Sequence, residues 1–352
     1  MKTIAQKFSD SIQIRDKTIS RNATPYMVAE MACAHDGNLE KAKKIVDGAV
    51  AAGVDAVQFE ILDPDDNIVP GTDVYKLLQR LYFSPAQWRE LFTYTRQYDM
   101  AIFSYAYDYV SLCLALELNT DGIKLNSSDL SNPDMLRKSA ESGLPVTIGT
   151  GASLIEEITA SLDLFAQHGG EKLILMHGVQ NFPTDITYAH IRRIQLLYAA
   201  FDCLIGYADH TEGSTYLSQV IDLVALGMGA VVIEKHITFD RSEKGIDYEA
   251  ALEPLEFQAF VATIRNASKA LGSSTIQALN ESDQKYRQFQ KKKIVAACSI
   301  KKDSIITRAK ISFLRTGTTS GIAPIEVGSI VGKRATRDIN KFQEISFIDI
   351  ID

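Results

Sequence analysis

Eight short apolar runs, each trailed by an amphipathic stretch, fill the first ~270 residues of this chain, and that alternation constrains its fold more than any other feature. The runs are YMVAEMA (26–32), DAVQFEIL (55–62), MAIFSYA (100–106), GIKLNS (122–127), PVTIGTG (145–151), KLILMHGV (172–179), CLIGYAD (203–209) and AVVIEKHI (230–237). Between them, patterns such as LEKAKKIVDGAVAAG (39–53) and SPAQWRELFTYTRQYD (84–99) place apolar residues three and four apart, the spacing of a helix with one buried face. Asn38-Leu39 and Ser84-Pro85 read as helix starts, with a capping side chain or an early proline, while Gly53, Gly143, Gly169-Gly170 and Gly227 close helices. Eight βα units at this spacing are the arithmetic of an α/β (β/α)8 TIM barrel. A doubly wound parallel sheet is the alternative, but no glycine-rich fingerprint follows the first strand.

Near Leu271 the pattern changes. GSSTIQALNESDQKYRQFQKKK (272–293) is polar and reads as a linker, and the short β-rich pieces after it form a small mostly-β domain. The expected organisation is a barrel over 1–271, a linker over 272–293 and a second domain over 294–352. At 352 residues the chain exceeds a usual single core, which agrees with two domains. The net charge of −7 argues against a nucleic-acid surface. Lys291-Lys292-Lys293 is a candidate phosphate contact or a solvated linker segment. Cys33, Cys113, Cys203 and Cys298 are far apart without CxxC spacing, so neither a zinc knuckle nor a disulfide framework is expected. No run approaches the ~20 apolar residues of a membrane span, and a cytoplasmic protein without membrane partners is expected.

Two runs carry the sharpest chemistry. LIGYADHTEG (204–213) and VVIEKHITFD (231–240) each send a strand into a histidine, His210 and His236. Strand ends of a parallel barrel converge on one pocket, so the two imidazoles can meet at a metal, with Asp209, Glu234 and Lys235 nearby. Each alone also reads as a hydrogen-bonded histidine at a strand end. Glu30 ends the first strand, as a general base, an orienting carboxylate or a helix N-terminal acid. Lys124 lies inside an apolar strand and needs a partner: a phosphate or carboxylate ligand, a carbonyl as a Schiff-base nucleophile, or a structural glutamate. Gly149-Thr150-Gly151 offers backbone N–H groups to an anion. Gln180 and Phe182 follow the strand ending at His177, and Asp247 stands on a later loop.

The order of motifs then becomes specific. VAEMACAHDGNLEKAKKIVDGAVAAGVDAVQFE, GIKLNSSDLSNPDMLRKSAESGLPVTIGTGAS, LMHGVQNFPT, IGYADHTEG, VIEKHITFDRSEKGIDYEAALEP and a final GIAP in a β-rich tail resemble the sialic acid synthase family over nearly the whole chain. That family condenses phosphoenolpyruvate with an amino-sugar aldehyde to give a nonulosonic acid. The resemblance implies a C-terminal antifreeze-like (SAF) domain and a pair of metal ligands, His210 and His236, for Mn2+ or Mg2+. Catalytic roles are implied for Glu30, Lys124, Asp129 and Asp247, the last at the sugar hydroxyls. Ser127, Gln58, Glu60, Thr150, Gln180, Phe182, Asp209 and Arg315 are implied substrate contacts, with Arg315 reaching the partner's site in a domain-swapped homodimer.

The same resemblance exposes departures. The family's KFQ after the second strand is Gln58-Phe59-Glu60, its serine before Thr-Gly is Gly149, and its Thr-Pro pair after the third strand is Tyr105-Ala106. Asp129 replaces a glutamate, Ala34 an asparagine and Ala208 a serine. These changes fall on the phosphoenolpyruvate pocket, and each lost charge-assisted bond to phosphate costs about 1.5–3 kcal/mol. Two further readings therefore stand beside the synthase: a carbon–carbon bond-forming or lyase enzyme with another donor, and a non-catalytic sugar-binding protein.

Overall fold

The computed structural model describes residues 8–272 and 277–352 and divides into two compact units, Met1–Gly272 and Ser273–Asp352. The first unit opens with a hairpin of β1 (Ser11–Ile14) and β2 (Lys17–Ser20). Eight parallel strands follow: β3 (Tyr26–Glu30), β4 (Ala56–Ile61), β5 (Ala101–Ala106), β6 (Gly122–Leu125), β7 (Val146–Gly149), β8 (Leu173–Gly178), β9 (Leu204–Asp209) and β10 (Val232–His236). They close into a barrel when β10 pairs with β3, so the (β/α)8 architecture read from the sequence is the one observed.

Helices return the chain between strands, and their ends follow local chemistry. Asn38 caps the helix Leu39–Ala52 by accepting the Lys41 N–H at 3.1 Å, and Gly53 ends it at φ 71°, where a side chain would be strained. Ser84 and Gln87 form a capping box ahead of Pro85 on the helix Pro85–Thr95.

Strand side chains alternate in direction, and here both faces are buried. One set, including Met27, Val57, Phe59, Ile102, Ile123, Ile148, Leu175 and Ile205, packs under the helices. The other set fills the barrel: Tyr26, Val28, Ala56, Ala101, Phe103, Ile174, Met176, Leu204 and Val232. Ile12, Ile14 and Ile19 of the hairpin join this inner cluster and close the end at which the strands begin. Glycine is required within it at Gly206, where a Cβ would overlap the Met176 sulfur.

The second unit is a small β structure around isoleucine and alanine (Ile294, Ala296, Ile300, Ile306, Ile311, Ile322, Ile330, Ile339). Strand β11 (Lys292–Ala296) pairs antiparallel with β12 (Ile311–Arg315), and β13 (Arg334–Ala335) with β14 (Ile350–Ile351). Within the stretch expected to be a linker, residues 273–276 lie outside the described residues, and Glu281–Gln290 is a helix with no buried residue. Without a buried face it leaves no apolar periodicity to detect. Among the described residues no helix is long and apolar enough to cross a membrane.

Candidate active site

Parallel register decides what meets at the far ends of the strands. His236 pairs alongside Glu30, Glu30 alongside Gln58, Glu60 alongside Tyr105, Tyr105 alongside Lys124, and Gly178 alongside Ala208. The side chains of the inward set enclose a cavity of about 210 Å³ whose wall includes Glu30, Glu60, Tyr105, Lys124, His210 and His236, completed by loop residues such as Asp247.

At its floor Lys124 donates to Glu30 at 2.7 Å and to Glu234 at 2.5 Å, while the Gln58 amide donates to Glu30 at 2.5 Å and to Glu234 at 3.2 Å. All four side chains are buried. Burial would raise the Glu30 carboxyl, but the Lys124 charge beside it outweighs burial and lowers it to about 2. For Glu234 burial wins, reinforced by Glu30, and its carboxyl rises to about 8. Burial opposes the Lys124 charge, but the two carboxylates hold it above its usual range. At neutral pH the cluster is therefore an ammonium, one carboxylate and one carboxylic acid, a balanced arrangement that tolerates burial.

His210 and His236 lie with ring centroids 5.1 Å apart at 71°, and Phe182 covers them at 4.3 and 5.7 Å. Burial, then the neighbouring imidazole, lowers His210 to about 3; burial lowers His236 to about 4 despite Glu30. Both rings are neutral. The Nδ1–H of His210 donates to the Val179 carbonyl at 2.7 Å, which leaves Nε2 with a free lone pair. Nearby, the buried Oε1 of Glu30 finds no hydrogen-bond partner among the described residues. Two neutral imidazoles fill only part of a metal ion's coordination sphere, and no third His, Cys, Asp or Glu completes a ligand group among the described residues. The donor set fits a divalent ion with positions left for substrate and water.

Strand alternation turns Asp209 and Thr150 away from the cavity, and the other expected residues are placed as follows. Asp209 precedes His210 and therefore faces outward, where Lys235 binds it together with Asp222 (3.1 Å from Lys235) and the Ser218 carbonyl (2.5 Å). Its other bonds are to Tyr207 and Thr211, so it holds the helix layer and does not line the cavity. Thr150 spends its hydroxyl on the Met176 carbonyl at 3.0 Å. Asp129, on the short turn Ser127–Asp129, accepts from Asn132 at 2.9 Å, ahead of the helix Pro133–Glu141. Ser127 bonds to Asn126 at 3.0 Å, outside the cavity wall. Gln58 lies beneath the wall, and Arg315 is exposed at the end of β12 in the second unit. Glu30, Glu60, Lys124, Gln180, Phe182, His210, His236 and Asp247 do line the cavity.

The reading from sequence missed Cys33, Tyr107 and Asn126 as wall residues and left Glu234 without a role. The missing signal was parity: Tyr107 and Asn126 lie two residues beyond Tyr105 and Lys124, hence on the same inward face.

Comparison with known proteins identifies relatives of the whole chain and of its barrel. A model of the NeuB family matches residues 45–276. An N,N'-diacetyllegionaminic acid synthase of Legionella pneumophila is 28% identical over 335 residues, spanning 90% of this chain and 92% of that protein. An N-acetylneuraminate-9-phosphate synthase of Drosophila melanogaster is 30% identical over 260 residues, 68% of this chain and 67% of that one. The crystal structure of an N-acetylneuraminic acid synthetase from Leptospira borgpetersenii, in complex with citrate, superposes with a TM-score of 0.73 at 27% identity, covering 79% of this chain and 95% of its own.

Proposed function

The chain belongs to the NeuB family, and from that premise we propose that it condenses phosphoenolpyruvate with an N-acetylmannosamine-like aldehyde, giving a nonulosonic acid and phosphate for surface polysaccharide synthesis in the cytoplasm. The observation that carries the reading is the meeting of two neutral histidines with the Lys124–Glu30–Glu234 cluster in one cavity.

His210 and His236 would hold Mn2+ or Mg2+, which when bound supplies Lewis acidity toward the aldehyde oxygen. The chain's own residues do the rest. Lys124 supplies positive charge to the anionic donor, and its bonds to Glu30 and Glu234 fix where that charge sits. Glu30, ionised with one free oxygen, orients a hydroxyl or water at the reacting carbons. Asp247 meets the sugar hydroxyls, and Phe182 shields the imidazoles from water. The second unit is read as the family's SAF domain. Its Arg315, presented by a second copy in a swapped homodimer, adds a further cation.

The test is phosphate release from phosphoenolpyruvate with Mn2+ and a panel of N-acetylated mannose-type aldehydes, with the 2-keto acid product followed in parallel. Release with product formation is expected. Silence across the panel with Mn2+ still bound would overturn the reading in favour of a donor without phosphate. The wall favours that second reading at one point: it carries Glu30, Glu60 and Asp247 against Lys124.

A further inference from the structure

Glu60 is a buried acid in the cavity wall that no cation serves. The Lys124 ammonium is committed to Glu30 and Glu234, at 2.7 and 2.5 Å. One Glu60 oxygen accepts the Tyr107 hydroxyl at 3.1 Å, and the other meets the Cys33 thiol at 3.5 Å. The groups that face it are Glu30 from β3, Cys33 just beyond, Tyr105 and Tyr107 from β5, Lys124 from β6 and Asp247 from the loop after β10.

A carboxylate here would be desolvated and opposed by two other acids, which is the condition under which a buried acid keeps its proton. Burial, then Glu30 and Asp247, push the Glu60 carboxyl well above its ordinary range, with Lys124 and Tyr107 too weak to reverse it. The protonated form turns a group that could only accept into a neutral O–H donor facing a ligand. Its position is set. Tyr107 stacks on Tyr105 with centroids 4.4 Å apart at 15°, and Lys124 sits 4.6 Å over the Tyr105 ring, so the phenol that orients Glu60 is itself clamped.

We propose that Glu60 takes part as a neutral carboxylic acid, its O–H donating to an anionic oxygen of the three-carbon donor, with Tyr107 as its positioning residue. This rests on the reading of the chain as a phosphoenolpyruvate-condensing synthase. An anionic donor then binds only while Glu60 keeps its proton, so affinity falls about tenfold per pH unit once that proton is lost.

The experiment is calorimetric binding of phosphoenolpyruvate to the full Mn2+-loaded chain across neutral to alkaline pH, for the wild type and Glu60→Gln. Glutamine stays a neutral donor at every pH, so it is expected to bind as the wild type does at neutral pH and to lack the alkaline loss. An equal alkaline loss in both proteins overturns the proposal, as does weak binding by Glu60→Gln at neutral pH. A readout independent of turnover is the infrared carbonyl band of a protonated carboxyl at neutral pH. Its loss in Glu60→Gln supports the neutral acid, and no difference between the two proteins overturns it. Phosphate release is scored separately: binding with the expected pH behaviour but no release would fail the synthase reading and leave the Glu60 assignment standing.

Discussion

Asp247 adopts a left-handed backbone at φ 65°, a conformation that non-glycine residues enter at a cost, and its side chain lines the cavity. Burial, then Glu30 and Glu249, raise its carboxyl to about 6. In the proposed role, accepting from sugar hydroxyls in its ionised form, it would lose function as pH falls through that value. The acceptor kcat/KM should therefore show an acid limb near pH 6. Asp247→Asn, which tolerates the same backbone, should be slower and lack that limb; a limb that persists in the variant assigns it to another group. His210→Ala and His236→Ala should each weaken Mn2+ binding by more than the ~10–100-fold typical of losing an outer-shell partner, read by calorimetry, and unchanged affinity in either removes it from the metal site. Of these residues, those on strand ends were legible because a polar side chain in an apolar run is conspicuous. Asp209 and Thr150 were conspicuous in the same way, yet they point outward, and only the direction of each strand position separates the two groups.

The eight barrel strands were readable because both faces of each are covered, which writes them as continuous apolar runs bounded by turns. The same burial creates a demand met outside the barrel. Lys235 is fully buried between Asp209 and Asp222, tying β9 and β10 to the helix Leu217–Gly227. Lys235→Met would leave two carboxylates without their cation and should destabilise the fold by about 3–5 kcal/mol in urea titration. A loss within error would mean that water or a shared proton substitutes for the ammonium. Burial opposes the Asp209 charge, but Lys235 outweighs it and holds that carboxyl below its usual value. Its contribution is thus present above the unfolded carboxylate pKa and lost as pH falls through the lower folded value. Two elements escaped detection for opposite reasons. The helix Glu281–Gln290 buries nothing, and the β1–β2 hairpin turns at Arg15-Asp16, without the Asn-Gly or Asp-Gly signal of a tight hairpin.

At the scale of the molecule, the hairpin closes one end of the barrel and the candidate site occupies the other. Ile12 is buried among inner-layer residues, and Ile12→Ala should cost about 2–5 kcal/mol. Because Ile12 and the cavity lie at opposite ends of the strands, the loss should appear in urea midpoint with little change in substrate KM. A KM that rises in step with the lost stability would instead mean that closing this end also shapes the cavity. The seat of the hairpin is assembled from residues as distant in the chain as Tyr26, Phe103, Ile174, Leu204 and Val232. During synthesis the hairpin emerges before the barrel strands, but its seat is complete only after β10 has been made and paired with β3. The hairpin must therefore wait, with three isoleucines uncovered, until the barrel has closed, and a fluorescent probe beside Ile12 would time that closure.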